Sequence, residues 1–114
     1  STKFGLPGGK LELLETPKEA AIRETYEETG IKVTECTQIY RREEPPDSIG
    51  GEYFYAYAFF ATSWEGIPHT STEGLVKWIT AEELTSSSGA FPDYNRATLD
   101  SMKKMFPNVY IKGE

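Results

Sequence analysis

Helix-start and helix-stop signals enclose the segment 17–29. Thr16 and Glu19 have the spacing of a capping box, and Pro17 lies at the first helical position, where proline is favoured. Gly30 supplies a residue suited to end the helix. The pattern therefore predicts a helix from residue 17 to about residue 29.

Two more helices are expected in the second half of the chain. Thr80 and Glu83 repeat the capping spacing and predict a helical turn over 81–84. Pro92 or Asp93 opens a last helix that reaches about Met105, within which apolar residues recur at helical spacing.

Strand-like patterns lie between the helices. Apolar and polar residues alternate over 11–13, and apolar residues recur over 31–41 and 75–79. The segment 53–62 is aromatic and almost entirely apolar, so both of its faces are expected to be buried. The segments 42–52, 64–72 and 86–91 have loop composition.

The mixture of strands and long helices predicts a single α/β domain over residues 1–114, a sandwich of sheet and helices.

The net charge of −6 and the scattered basic residues argue against nucleic-acid binding. Cys36 is the single cysteine, which excludes an internal disulfide. There is no apolar run of transmembrane length and no signal-peptide pattern, so a cytoplasmic location away from membranes is expected.

The first helix carries an acidic face. Glu24, Glu27 and Glu28 lie at i, i+3 and i+4. Like charges at this spacing cost roughly 0.2–0.5 kcal/mol per pair, and acids in the last turn oppose the helix dipole. A divalent cation would compensate both costs, because hard cations prefer clustered carboxylates. A solvated charged face is the alternative interpretation. The opposite side, expected to face the core, carries Ile22, Thr25, Tyr26 and Thr29.

The full spacing around this helix resembles the Nudix box, G-x5-E-x7-R-E-U-x-E-E-x-G-U, in which U is apolar. All seven fixed positions match, and Thr25 at the first U is a mild departure. The matching residues are Gly9, Glu15, Arg23, Glu24, Glu27, Glu28 and Gly30, followed by Ile31 at the last U.

The resemblance implies a Nudix-type α/β/α sandwich with a mixed sheet. It also implies a hydrolase that uses Mg²⁺, for which Mn²⁺ can substitute, to cleave a pyrophosphate bond in a nucleoside diphosphate linked to a group X. In that pattern Glu27 and Glu28 are metal ligands, and Glu24 is a further ligand or the general base. The backbone carbonyl of Gly8 completes the metal shell.

The remaining box residues have supporting roles in the family pattern. Arg23 orients the glutamates and pairs with Glu15, since a guanidinium can hold two carboxylates. A plain loop-to-helix salt bridge is an equally good interpretation of this pair. Gly9 lets the backbone approach the metal closely, and Gly30 ends the helix.

Outside the box the candidates are fewer. Glu73 is proposed as an extra acid from a later loop. Arg41 and Arg42 are candidates for substrate phosphates, and Phe91 for the nucleotide pocket. An ordinary surface role is the alternative for Glu73 and the two arginines, and a place in the core is the alternative for Phe91.

Only eight residues precede Gly9, whereas Nudix domains usually have one or two strands there. Three explanations are open: residues omitted from the chain, strands supplied by another chain in a homodimer, or a minimal domain with an open sheet edge. Small-molecule nucleotides are the expected substrates: nucleoside triphosphates, ADP-ribose-like sugars or dinucleoside polyphosphates. The alternative function is a non-catalytic Nudix-fold module that binds nucleotides.

Overall fold

The structure, a computed structural model, describes residues 5–8, 11–46, 49–70, 75–86 and 89–109. Within these residues five elements follow one another: α1 (Pro17–Thr29), β1 (Lys32–Glu44), β2 (Phe54–Glu65), α2 (Ala81–Thr85) and α3 (Pro92–Met105). The candidate residues Gly9 and Glu73 lie outside the described residues.

The three helices form where the sequence predicts them, and reciprocal capping boxes mark the starts of α1 and α2. At the start of α1, Glu19 N–H donates to the Thr16 hydroxyl at 3.1 Å, and Thr16 N–H donates to the Glu19 carboxylate at 2.9 Å. Gly30 ends the helix in the left-handed region, at φ 81°. Thr80 and Glu83 form the same reciprocal cap on α2. Local hydrogen-bonding chemistry is sufficient to place these boundaries.

The sheet is an antiparallel pair of long strands. Its register runs from Lys32 opposite Glu65 to Glu44 opposite Phe54, with three irregularities in between. The strand β1 extends three residues past the predicted end, so the predicted loop 42–52 begins only at Pro45. Cross-strand hydrogen bonds extend both strands beyond their apolar patterns, since backbone pairing does not require apolar side chains.

Two predicted strands are wrong within the described residues. Residues 11–13 lie in a loop that ends in a tight turn, and Leu13 and Leu14 are 92% and 95% exposed. Residues 75–79 carry no strand assignment. An alternating pattern forms a strand only where a partner strand lies alongside, and in the described part of the chain neither segment has one.

The prediction that both faces of β2 are buried is also wrong. Ala58 is its single buried residue, while Phe54 and Tyr55 at its start are about half exposed. The helices α1 and α3 both pack against β1, and α3 supplies Leu99 and Met102 to a small core with Ala81. The two strands that the structure describes offer these helices too little area to cover every aromatic side chain of β2.

The predicted core face of α1 is correct only in part. Ile22, Thr25 and Thr29 are half-buried, but Tyr26 is 57% exposed. The buried residue of the helix is Ala20.

Cys36 is buried, as expected of a structural thiol, and burial raises its pKa. None of the helices that the structure describes has the length and apolar character needed to span a bilayer.

Candidate active site

The acidic face of α1 is joined to the preceding loop by a tight turn. Glu15 N–H donates to the Glu12 carbonyl at 3.1 Å, and Glu12 N–H donates to the Glu15 carboxylate at 2.9 Å. Leu14, the third residue of the turn, has φ 66°, a conformation that favours glycine or asparagine. The turn directs the Glu15 carboxylate back toward the helix.

Arg23 receives that carboxylate in a two-point contact. Its Nε donates to one Glu15 oxygen at 2.7 Å, and Nη2 donates to the other at 3.0 Å. The side chains of Arg23 and Glu15 are 21% and 13% exposed, so the contact is partly buried. The loop-to-helix pair that the sequence predicts is therefore present, with the geometry that a planar guanidinium favours.

The remaining guanidinium nitrogen of Arg23 is directed to the helix acids. Nη1 donates to Glu24 at 2.7 Å and to Glu27 at 3.2 Å, and lies 3.5 Å from Glu12. Glu24 is 18% exposed and Glu27 is 51% exposed. One cation thus orders several carboxylates that would otherwise repel each other along the helix.

Glu28 points in a different direction from these acids. Its carboxylate accepts a hydrogen bond at 3.0 Å from the backbone N–H of Gly8. The segment 5–8 is thereby held against the last turn of α1, which brings the Gly8 peptide next to a box glutamate. The sequence placed these residues in one site because of the family pattern, and the fold brings them together over a separation of 20 positions.

The charge network shifts the acid–base balance of its members. The Arg23 guanidinium, with help from the Glu12 N–H, holds the pKa of Glu15 below its ordinary value. The Glu15 and Glu24 carboxylates in turn raise the pKa of Arg23 above its ordinary value. Both groups therefore stay charged at neutral pH.

The donor chemistry of this face suits a hard divalent cation, because carboxylate and carbonyl oxygens are the ligands that magnesium prefers. However, no three acidic, histidine or cysteine side chains of the described residues already surround a metal position. The contacts explain why: Glu24 and Glu27 are directed to Arg23, and Glu28 to Gly8. Glu27 is the most exposed of the box acids in these ion pairs.

A groove of about 660 Å³, which the sequence pattern does not predict, opens beside the acidic face. Glu28 and Thr29 of α1 form part of its wall, and Trp64 and Trp78 form another part. The two indole rings lie 6.2 Å apart at 49° to each other. The available signal was that Trp64 follows one predicted strand and Trp78 lies within another, but nothing in the spacing places them together.

The substrate candidates outside the box lie elsewhere. The Arg41 guanidinium lies 4.6 Å from the ring centroid of Tyr55, and that of Arg42 lies 4.9 Å from the ring centroid of Tyr94. Phe91 precedes α3 at φ 53° and is 78% exposed. None of these three candidates is among the described residues that line the groove.

Comparisons with known proteins agree with the box. The NUDIX domain family model matches residues 1–101. A "MutT-like protein" of Streptomyces ambofaciens is 35% identical over 107 residues, a match that covers 91% of this chain and 64% of the relative. The "8-oxo-dGTP diphosphatase" of Escherichia coli is 28% identical over 106 residues, covering 92% of this chain and 78% of the relative. The chain thus spans a little under two thirds of the Streptomyces relative's length.

A solved structure shares the fold. The solution structure of the E. coli ORF135 protein matches with a TM-score of 0.70 at 21% identity, covering 92% of this chain and 74% of that protein. This likeness confirms the α/β fold class expected from the sequence, and the described residues contribute an antiparallel pair of strands to it. With the family model covering all but the last part of the chain and every fixed box position present, the chain belongs to the Nudix family.

Proposed function

We propose that this chain is a metal-dependent nucleotide pyrophosphohydrolase that cleaves the diphosphate linkage of a nucleoside diphosphate derivative. The observation that supports this most directly is the Arg23 network, which holds the partly buried Glu15 and Glu24 beside the more exposed Glu27. A surface that served only solubility would not need several carboxylates ordered on one partly buried guanidinium. Such ordering is useful where carboxylate positions matter for chemistry.

Glu24, Glu27 and Glu28 would hold the cation, together with the Gly8 carbonyl, and Mg²⁺ is proposed, with Mn²⁺ as a substitute. When bound, the ion neutralises the charge of the diphosphate and makes water a better nucleophile. Glu24 is also the candidate base, because it is nearly buried and is held in place by Arg23 at 2.7 Å. Its carboxylate would accept the proton that the attacking water loses.

Arg23 and Glu15 act as positioning residues in this proposal. The guanidinium uses Nε and Nη2 for Glu15 and Nη1 for the helix acids, so that the loop and the helix form one rigid unit. Positioning is the main requirement of phosphoryl chemistry, in which the protein forms no covalent intermediate of its own. The glycines at 9 and 30 are proposed as supporting positions.

The proposed substrates are small nucleotides: nucleoside triphosphates, ADP-ribose-like sugars or dinucleoside polyphosphates. The relative named an 8-oxo-dGTP diphosphatase places an oxidised purine triphosphate first among the compounds to test. The net charge of −6 favours a small substrate, bound through a cation, over a long polyanion.

Contacts outside the box are part of the proposal. Arg41 and Arg42 are proposed to contact substrate phosphates, Phe91 the nucleotide, and Glu73 to supply an extra acid. Alanine variants of the arginines and of Phe91, and Glu73→Gln, should each raise KM or lower kcat for the best substrate. Unchanged kcat and KM in a variant would show that the replaced residue is not part of the site.

The test is hydrolysis of a nucleotide panel with Mg²⁺, with products identified by phosphorus NMR. We expect release of a nucleoside monophosphate together with phosphate, pyrophosphate or a phosphorylated group X. Glu28→Gln should reduce turnover by orders of magnitude while circular dichroism is unchanged. Glu82→Gln, an exposed acid on α2, is the matched control and should behave as the wild type.

The alternative function is nucleotide binding without catalysis. Binding of nucleotides by calorimetry with no turnover of any panel member would favour it and overturn the proposal. Full activity of Glu28→Gln would remove that residue from the metal site even if the chain is a hydrolase.

A further inference from the structure

We propose that one face of the β1–β2 pair is an interface at which two copies of this chain associate about a two-fold axis. This face, called the hairpin patch, consists of Arg41 and Glu43 on β1 and Tyr55 and Tyr57 on β2. The register pairs Arg41 with Tyr57 and Glu43 with Tyr55, and residues two apart on a strand share a face. The four side chains therefore lie on the same side of the sheet. The inference does not depend on the proposed hydrolysis.

The opposite face of β1 shows how the chain closes a similar set of side chains internally. Arg42 and Glu44, also two positions apart, form an ion pair in which the Arg42 Nε donates to the Glu44 carboxylate at 2.8 Å. Tyr94 of α3 lies against the pair, with its ring centroid 4.9 Å from the Arg42 guanidinium. On this face a neighbouring helix supplies the aromatic ring, and both charges have partners within the chain.

The hairpin patch carries the same residue types in an open arrangement. The Arg41 guanidinium lies 4.6 Å from the ring centroid of Tyr55. Within the described part of the chain, however, neither Arg41 nor Glu43 is in an ion pair. Both side chains are exposed, and Tyr55 is 49% exposed. The patch thus presents a cation, an anion and an aromatic ring that a second molecule can contact.

The charges of the patch favour a second copy of the chain as that molecule. A two-fold axis through two facing patches places Arg41 of each copy opposite Glu43 of the other, so both ion pairs form at once. The patch is neutral as a whole, because it carries one positive and one negative side chain. Two copies with a net charge of −6 each repel one another elsewhere, so a neutral and self-complementary surface is where they can meet.

The rings of the patch supply the apolar part of the contact. The ring centroids of Tyr55 and Tyr57 lie 6.4 Å apart, and tyrosine and arginine are enriched among the residues that dominate interface energies. A standard interface buries about 800 Å² per partner, whereas a buried aromatic side chain contributes roughly 150–250 Å². The patch supplies only part of the standard area, so we expect a weak dimer with a Kd in the micromolar range or above.

The dimer also bears on one contact of the proposed function. In the dimer Arg41 lies opposite Glu43 of the second copy, so a contact between Arg41 and a substrate phosphate would belong to the monomer. Arg42 lies on the other face of β1 and keeps its surroundings in both states.

Sedimentation equilibrium, without nucleotide or added metal, measures the association directly. We expect wild type to shift from monomer to dimer as its concentration rises. Arg41→Glu and Glu43→Arg should each raise the dimer Kd at least about tenfold, because like charges then face each other across the axis. The double variant should return to within about threefold of wild type, because it restores both ion pairs with their signs exchanged.

Matched controls separate the patch from the overall charge. Lys104→Glu on α3 makes the same change in net charge as Arg41→Glu, and Glu82→Arg on α2 makes the same change as Glu43→Arg. Both control positions are exposed and lie outside the patch, so neither variant should change the dimer Kd. Tyr55→Ala should raise the Kd at least about tenfold, whereas Tyr55→Phe, which keeps the ring, should stay within about threefold of wild type.

A single monomeric species at every concentration up to the solubility limit would overturn the inference, whatever the variants do. A double variant as weak as its two single variants, equal losses in the charge controls, or wild-type association in Tyr55→Ala would do the same. Circular dichroism checks that each variant is folded. Turnover of nucleotides is a separate measurement, so failure of the proposed function would leave this association unchanged.

Discussion

Replacing Gly30 by alanine should destabilise the protein through two separable effects. Gly30 ends α1 at φ 81°, a conformation that costs an L-residue roughly 1–2 kcal/mol. Alanine recovers about 0.4–1 kcal/mol through its smaller unfolded-state entropy. The backbone effect alone is therefore a loss of about 1 kcal/mol in the free energy of unfolding.

The second effect comes from a neighbour in the tertiary structure. A Cβ at position 30 would overlap the imidazole ring of His69, whose backbone N–H donates to the Thr29 carbonyl at 3.0 Å. The ring is exposed and can rotate, but its backbone is held by that hydrogen bond. Forcing the side chain from its rotamer adds roughly 0.5–1.5 kcal/mol. The total loss in Gly30→Ala is then about 2 kcal/mol.

Urea denaturation followed by circular dichroism measures the loss, and the chain supplies a matched control. Gly50 has φ 83°, and a Cβ there would meet no atom of the described residues within 4 Å, so Gly50→Ala reports the backbone effect alone. In a His69→Ala background, Gly30→Ala should fall to the value found for Gly50→Ala. Equal losses for the two single variants, or no change on removing His69, would refute this account.

Three further predictions concern the loop and its arginine. Leu14→Gly should raise the free energy of unfolding by up to about 1 kcal/mol, because Leu14 is 95% exposed and has φ 66°; a lower urea midpoint would contradict this. Glu15→Gln should lower stability at pH 7. Because the pKa of Glu15 is lowered in the folded state, its contribution to the free energy of unfolding is complete above the ordinary value near 4.5 and is lost as pH falls through the lower folded value. The urea midpoints of variant and wild type should therefore converge in acid and not in base. Arg23→Lys should raise the Mg²⁺ concentration needed for half-maximal turnover, since an ammonium cannot hold Glu15 and the helix acids together; an unchanged Mg²⁺ dependence would make the arginine merely structural.

The sequence by itself determined the helices and the chemistry of the acidic face. Capping residues such as Thr16 and Gly30 act over three or four positions, so their effect is visible in a short segment. The spacing of the box glutamates and Arg23 likewise determined which side chains share a helix face, because helical geometry fixes that relation.

Tertiary structure decided the extent of the sheet, the direction of each carboxylate and the presence of the groove. Leu11 and Leu13 alternate with polar residues as in a strand, yet the described structure gives them no partner strand. The indole rings of Trp64 and Trp78 come together from positions 14 apart in the chain. Strand pairing, ion-pair choice and cavities depend on which distant residues become neighbours, and a local pattern carries no information about that.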